Sequence, residues 1–381
     1  MTIVHVIAYY NNVWKYQENH LAEAQVQQGH EVHIVASDRN FPFPNYAKTA
    51  EPALGPRRKK KGTEIADGYT VHYLPLWLEL SGRVWMRNLK NTLRKLKPDV
   101  LIFHGITQPA TLFTGCNPGL RCKKVADEHV LLSDIADSAP KKILFALLGF
   151  FFKKRLVRHY GKVIAISEGT VDMLRACMKF RDNEMKLVPL GADTRTFFPD
   201  PEAGRVFRTK HGIADTAFVI GYTGKMAAYK MVHLLAEAAA RLAGPDISLL
   251  LVGNVDPDYK PTLEESLGKS GVKNVWLPAL PASDLPAVYN ACDVLAWPAH
   301  QTISTLDASA CGKPVICSDF LKERYNSGQG FGIPSGNLEE LVNALQKLYP
   351  HPSLRAAMGQ AGRHWAENEV SWEAISRKML T

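Results

Sequence analysis

Cysteine is scarce and dispersed in this sequence. Six thiols (Cys116, Cys122, Cys177, Cys292, Cys311 and Cys317) are scattered through 381 residues, without the close pairs of a zinc site or the density of a secreted disulfide scaffold. They read as reduced core thiols. Long apolar runs are missing too: the longest uncharged one, Ile143 to Phe152, has ten residues, about half of the ~20 needed to cross a bilayer. No basic segment followed by an apolar core opens the chain, so the expectation is a cytoplasmic protein, at most peripheral on the inner membrane face. Glycine is absent from Tyr9-Tyr10-Asn11-Asn12-Val13-Trp14, where a dinucleotide fingerprint would lie, and no G-x-x-x-x-G-K-[ST] occurs. These two absences argue against NAD, FAD and P-loop chemistry. There is no solenoid repeat, and 46% hydrophobic residues exclude a disordered chain.

What is present is an uneven charge. Residues 1–192 carry 28 Lys and Arg against 17 Asp and Glu, a surplus of 11, whereas 193–381 carry 18 against 20. A surplus confined to one half points to an anionic neighbour for that half. Nucleic acid is the weaker candidate, because no aromatic-basic interleaving or helix-turn-helix punctuation accompanies the basic runs. Lys141-Lys142, the apolar stretch Ile143 to Phe152, and Lys153-Lys154-Arg155 with Arg158 form a helix-like segment, oily in the middle and basic at both ends. Arg57 to Lys61 supplies a second cationic patch on what reads as a mobile loop, Pro56 to Gly62. Both features favour an anionic membrane surface as partner.

Apolar β-rich runs alternate with helical stretches throughout. Ile3 to Ala8, a helix ended by Gly29, and Glu31 to Ala36 make a βαβ unit. Asp99 to Phe103, Lys124 to Ala126 and Lys162 to Ile166 continue it. The pattern restarts after Pro189 to Asp193 with Phe218 to Thr223, Ile247 to Val252, Val275 to Leu277, Val294 to Trp297 and Pro314 to Cys317. Two Rossmann-like, doubly wound halves with a cleft between them are the α/β architecture this implies. In the second half, Thr223-Gly224-Lys225 ends a strand on a glycine beside a cation, with Lys230 five residues on as the next helix begins. A turn without Cβ, a helix N-terminus and two ammonium groups suit a diphosphate. Asp256-Pro257-Asp258 is a D-x-D, but its strand-to-turn context makes these ordinary turn residues rather than metal ligands.

The ordered series Val163 to Glu168, Val188 to Asp193 with Phe197-Phe198-Pro199, Gly221 to Lys225 with Lys230, Leu249 to Gly253, Ala291 to Val294 with Pro298, and Leu306 to Ile316 resembles the GT-B glycosyltransferases of family 4 (glycosyl transferases group 1). Gly29-His30-Glu31-Val32 and Gly328-Gln329-Gly330-Phe331-Gly332, the latter like a loop near the nucleotide, extend the resemblance over nearly the whole chain. It implies two Rossmann-like parallel-sheet domains: residues 1–192 binding acceptor, 193–364 binding the nucleotide-sugar donor, and a C-terminal helix, 365–381, packing back toward the first. It further implies retaining, metal-independent sugar transfer with no cofactor, to a glycan or lipid-linked acceptor such as lipopolysaccharide, polysaccharide or lipid-linked oligosaccharide.

Carried over residue by residue, Gly224, Lys225 and Lys230 would hold the donor diphosphate, Lys225 standing where many members have Arg. Asp307 matches the second carboxylate of the family's E-x7-E motif, which binds the ribose. Where the first acid would lie this chain has Ala299. Sugar recognition there would pass to His300, Gln301 or backbone N–H groups of the Thr302-Ile303-Ser304-Thr305 turn. His129, in Asp127-Glu128-His129, resembles the family's donor-directed histidine and joins Lys225 and Lys230 as a catalytic candidate. Asn12, Gln17 and Glu18 take the place of the acceptor loop. The departures at Ala299 and Asn11-Asn12 motivate one alternative, a sugar-nucleotide-binding protein without catalysis; a second is a GT-B epimerase that converts the donor sugar without any acceptor.

Overall fold

The computed structural model describes residues 1–242, 244, 246–300, 302–319 and 322–381, residue 323 by its main chain alone. The chain divides into two compact units, Met1–Leu190 with Trp372–Thr381, and Gly191–Ser371.

The first unit has ten strands: β1 (Thr2–Val6), β2 (Glu31–Ser37), β3 (Gly62–Ala66), β4 (Tyr69–Leu74), β5 (Leu76–Leu80), β6 (Arg83–Met86), β7 (Val100–His104), β8 (Lys123–Glu128), β9 (Val163–Ala165) and β10 (Met185–Leu187). Eight form one sheet in the order β10-β9-β8-β7-β1-β2-β4-β3, parallel except for the antiparallel β3–β4 pair at one edge. The central strand β7 is buried along its whole length, as its unbroken Val-Leu-Ile-Phe-His run requires of a strand covered on both faces. Because β2 and β7 flank β1 on opposite sides, the winding reverses at β1 and β7. Loops at the carboxyl ends of these two strands therefore bound a crevice where doubly wound sheets bind ligands.

The sequence reading gave no strands for 62–86, where the structure has four. This region makes the sheet's antiparallel edge and a separate β5–β6 hairpin. β3 is exposed at four of its five positions, so it lacks the apolar alternation by which strands are read. Nor is Pro56 to Gly62 a free loop. Arg57 forms an ion pair with Glu79, and Lys59 donates to the Tyr10 carbonyl at 2.6 Å while lying 4.7 Å from the Tyr73 ring centroid. Only Arg58, Lys60 and Lys61 of that basic run are exposed.

The described strands of the second unit are β11 (Phe218–Thr223), β12 (Ile247–Val252), β13 (Lys273–Leu277), β14 (Val294–Ala296), β15 (Val315–Ser318) and β16 (Gly330–Ile333). Among the described residues they form one six-stranded parallel sheet in the order β13-β12-β11-β14-β15-β16. Here the reversal lies between β11 and β14, which puts the segments after Thr223 and after Ala296 side by side. Gly330 to Gly332, expected as part of a loop, belong to the edge strand β16, paired in parallel with β15. At the C-terminus the helix Pro352–Asn368 stays in the second unit. The chain returns to the first only at Trp372–Leu380, which lies against Gln17–Gln27: Trp372 stacks on His20 at 5.2 Å, and Ser376 donates to Gln28 at 2.9 Å.

Among the described residues no disulfide joins the six thiols; five are buried and Cys122 is half-buried. No helix of the described residues is long and apolar enough to cross a membrane.

Candidate active site

In the second unit the site grows from the buried end of β11. Trp297 donates its indole N–H to the Thr223 carbonyl at 2.9 Å, and the hydroxyls of Thr223 and Tyr289 meet at 2.9 Å, so the strand end is fixed from two sides. Gly224 follows with φ +125 and faces Gly253, φ +150; a Cβ on Gly253 would lie 1.9 Å from the Gly224 oxygen. Only glycine fits this approach.

Two lysines leave the turn differently. Lys225 is exposed, and its ammonium is held 2.8 Å from Asp256. Lys230 closes a 3-10 turn, half-buried, with Nζ 3.4 Å from His300 Nδ1 and 5.5 Å from the Tyr229 ring centroid. Burial pushes the Lys230 ammonium below its ordinary pKa. Such a cation is worth more to an arriving anion than an exposed one, because the local dielectric screens it less. The next helix starts at His233 rather than at Lys230, and its His233 N–H already donates to the Tyr259 hydroxyl at 2.9 Å. That donor is therefore spent, contrary to the expectation of a free helix N-terminus.

His300 sits with φ +62, edge-on to Tyr229 at 5.1 Å. The Thr302 carbonyl accepts from the Thr305 hydroxyl at 3.1 Å, and the Thr302 hydroxyl accepts from the Ser304 N–H at 3.3 Å. The turn thus uses some of its own donors before the helix Ser304–Ala310 begins. Asp307 lies on that helix, partly buried. Burial, and then the nearby Asp193 carboxylate, push its carboxyl up to about 8, against the opposing pull of Arg324 and Tyr289.

In the first unit, pairing of β1, β7 and β8 aligns a buried polar array. His5 Nε2 lies 2.7 Å from Gln25 Oε1, His5 Nδ1 lies 2.9 Å from His104 Nε2, and His104 Nδ1 lies 2.8 Å from Asp127. The other Asp127 oxygen is 3.2 Å from His129 Nε2. Gln25 Oε1 can only accept, so His5 donates from Nε2 and accepts at Nδ1. Turning the Gln25 amide over reverses the His5 tautomer.

Burial and the adjacent His104 push the His5 imidazole down to about 3. At His129 desolvation opposes the charge, but Asp127 outweighs it and lifts the imidazole to about 9. Its ring is 40% exposed and forms the accessible end of the array. Ligand atoms of His104, Asp127 and His129 lie within 4.8 Å of one another, but those of His104 and Asp127 are already engaged by hydrogen bonds.

Two models of known families match the chain: "Glycosyl transferases group 1" over residues 205–365 and "Glycosyltransferase Family 4" over residues 19–196. The chain belongs to the group 1, family 4 glycosyltransferases of the GT-B fold. The solved structures most like it include the glycosyltransferase of Rickettsia africae (TM-score 0.71, 16% identity, covering 100% of this chain and 96% of that one) and HepE of Anabaena in complex with UDP (0.68, 18%, 100% and 98%). Among curated relatives, a GDP-mannose-dependent alpha-(1-6)-phosphatidylinositol monomannoside mannosyltransferase of Mycolicibacterium smegmatis is 32% identical over 50% of this chain and 54% of its own length. A D-inositol 3-phosphate glycosyltransferase of Segniliparus rotundus is 26% identical over 59% and 52%. The chain spans about half the length of these curated relatives.

Within this GT-B framework the predicted residues fall into distinct groups. Gly224, Lys230 and His300 come together at the reversal point of the second sheet, with Thr302, Ile303, Ser304, Thr305 and Asp307 following on the turn and helix after it. Gln301 lies outside the described residues. Lys225 points to Asp256, which the sequence reading took as a plain turn residue. Asp256 does make the turn, accepting from Tyr259 N–H at 3.0 Å, and it also holds a cation.

Gln17 and Glu18, expected as acceptor contacts, are 8% and 5% exposed. Gln17 donates to Asp127 at 3.3 Å and so supports the array instead. Asn12 accepts from Asn19 at 3.1 Å, and the Asn11 side chain accepts from the N–H groups of Val13 and Trp14, so the asparagines shape the loop. Two features were missed. One is His5 and His104 behind Asp127. The other is the ring cluster Tyr9, Phe41, Phe43 and Trp14, with centroid spacings of 5.3, 4.8 and 5.2 Å, beside that loop. Phe41-Pro42-Phe43 next to an aromatic-bearing first loop was the available signal.

Proposed function

We propose that this chain transfers a sugar, with retention of anomeric configuration and without a metal ion, from a nucleotide-sugar to a glycan or lipid-linked acceptor at the inner membrane face. The observation that carries the reading is the half-buried Lys230 ammonium against His300, beside the uncovered Gly224 turn at the reversal point of the second sheet. A nucleoside diphosphate is already a good leaving group, and fixed cations beside it stabilise its developing charge. Lys230 and Lys225 have that role, His129 donates a hydrogen bond to the transferred sugar, and Asp307 binds the ribose. No carboxylate is nominated as a covalent nucleophile, so the reaction is a front-face displacement in which a diphosphate oxygen takes the acceptor proton.

A GDP-mannose-dependent relative and neighbours solved with UDP and UDP-glucose support a nucleotide-sugar donor, and the relative named for phosphatidylinositol monomannoside supports a lipid-linked acceptor. The test is a thermal-shift screen against UDP-, GDP- and ADP-sugars, followed by an assay for sugar release. A raised melting point with donor turnover supports the reading, and no shift with any donor overturns it. A second reading, nucleotide-sugar binding without catalysis, is favoured by the Lys225–Asp256 ion pair and by Ala299 in place of an acid. It predicts the thermal shift with no sugar released.

A further inference from the structure

The helix Ala139–Tyr160 has two faces that do not belong to one soluble core. Phe145, Gly149, Leu156 and Tyr160 are buried, and at Gly149 a Cβ would meet the Met178 backbone at 2.6 Å, so this face is clamped to the body. On the opposite face Ile143, Leu147, Phe150 and Phe151 are 61, 49, 81 and 67% exposed. At 100° per residue these four positions share one stripe, and Lys154 and Arg158 continue it. Water therefore meets a row of large apolar groups that ends in cations.

Beside those cations a recess of about 430 Å3 is lined by Cys116, Pro118, Lys154, Arg155, Arg158 and His159. Lys124 is near as well: burial, then Lys124, Arg158 and Arg155, push the His159 imidazole down from its ordinary value. Lys153, facing inward, is paired with Glu184. Among the described residues no carboxylate pairs with Lys124, Lys154, Arg155 or Arg158; Lys124 donates to the Asn117 carbonyl at 3.0 Å and Arg155 lies against Cys116.

We propose that this face is an interfacial docking surface for an anionic bilayer, in which Ile143, Leu147, Phe150 and Phe151 enter the acyl boundary while the recess takes the phosphate of one lipid headgroup. Charge complementarity selects the occupant. A protein partner would need only the apolar stripe, whereas a leaflet supplies apolar depth and, directly above it, a layer of phosphate. The first-half surplus of 11 positive charges acts in the same direction. The proposal deepens the membrane-face part of the function proposed above and rests on it; vesicle binding without donor and a donor-induced thermal shift without vesicles separate the failure of one from the failure of the other.

The test is sedimentation of the full chain with vesicles of phosphatidylcholine alone, or with one third phosphatidylglycerol. The chain should pellet only with the anionic vesicles, and millimolar inorganic phosphate should not release it. Phe150→Ser with Phe151→Ser, and separately Lys154→Glu with Arg158→Glu, alter exposed side chains and should each keep the donor-induced thermal shift. Loss of two cations should weaken partitioning at least about 30-fold. Equal recovery from both vesicle types, full release by phosphate, or undiminished pelleting of both variants would overturn the proposal. So would a dimer in analytical ultracentrifugation that the double serine variant dissolves, since the stripe would then belong to a second copy of the chain.

Discussion

Replacing Asp307 by Asn should stabilise the second unit at alkaline pH. The carboxyl is pushed from 3.8 up to about 8 by burial and Asp193. A folded-state value above the unfolded one means that folding takes up a proton between the two. Wild-type stability is therefore complete below about pH 4 and is lost as pH rises toward 8. Each pH unit in that window is worth about 1.36 kcal/mol, so the rise from pH 5 to 8 sets a ceiling of about 4 kcal/mol. Relaxation and water entry lower it to roughly 2–3 kcal/mol.

Asparagine cannot ionise, so its advantage over aspartate should grow across the same window. For a unit of this size, Gly191–Ser371, that corresponds to about 4–12 °C in melting temperature at pH 8. Calorimetry of both proteins at pH 5 and pH 8 makes the comparison. A difference that does not depend on pH, or that is larger at pH 5, would refute the assignment of a neutral, partly buried acid at this position.

Gly253→Ala puts a Cβ 1.9 Å from the Gly224 oxygen, and should cost about 2–4 kcal/mol in chemical denaturation while abolishing the nucleotide-sugar thermal shift. Asp256→Asn releases Lys225 from an exposed ion pair worth up to about 1 kcal/mol, so nucleoside diphosphate affinity measured by calorimetry should rise by about fivefold at most. For His129, whose imidazole Asp127 helps to raise to about 9, Asp127→Asn removes the strongest raising partner and leaves desolvation opposed only by Glu128 and Glu18. Its NMR-observed pKa should fall, and donor turnover at pH 8 should drop while recovering toward acid pH.

What the sequence made legible was local. The Gly224 turn, Lys230 and the strands β11, β12 and β14 were readable because strand, glycine and cation lie within a dozen residues and fully buried parallel strands are unbroken apolar runs. Pairings across long separations were not. His5 and His104 are 99 residues apart and meet only because β1 and β7 are neighbours. Asp256 reaches Lys225 because the segments after β11 and β12 run together. The strands between 62 and 86 were missed because exposed edge and hairpin strands need no apolar alternation. Glu18 reads from the sequence as an acceptor contact, and only the fold reveals that it is buried, where burial raises its carboxyl pKa.

The most direct test of the central claim is Lys230→Ala with a nucleotide-sugar that shifts the wild-type melting point. If the half-buried ammonium stabilises the departing diphosphate, donor turnover falls by about 100-fold or more, while the melting temperature without ligand stays within a few degrees of wild type. Near-normal turnover in a folded Lys230→Ala protein would contradict it.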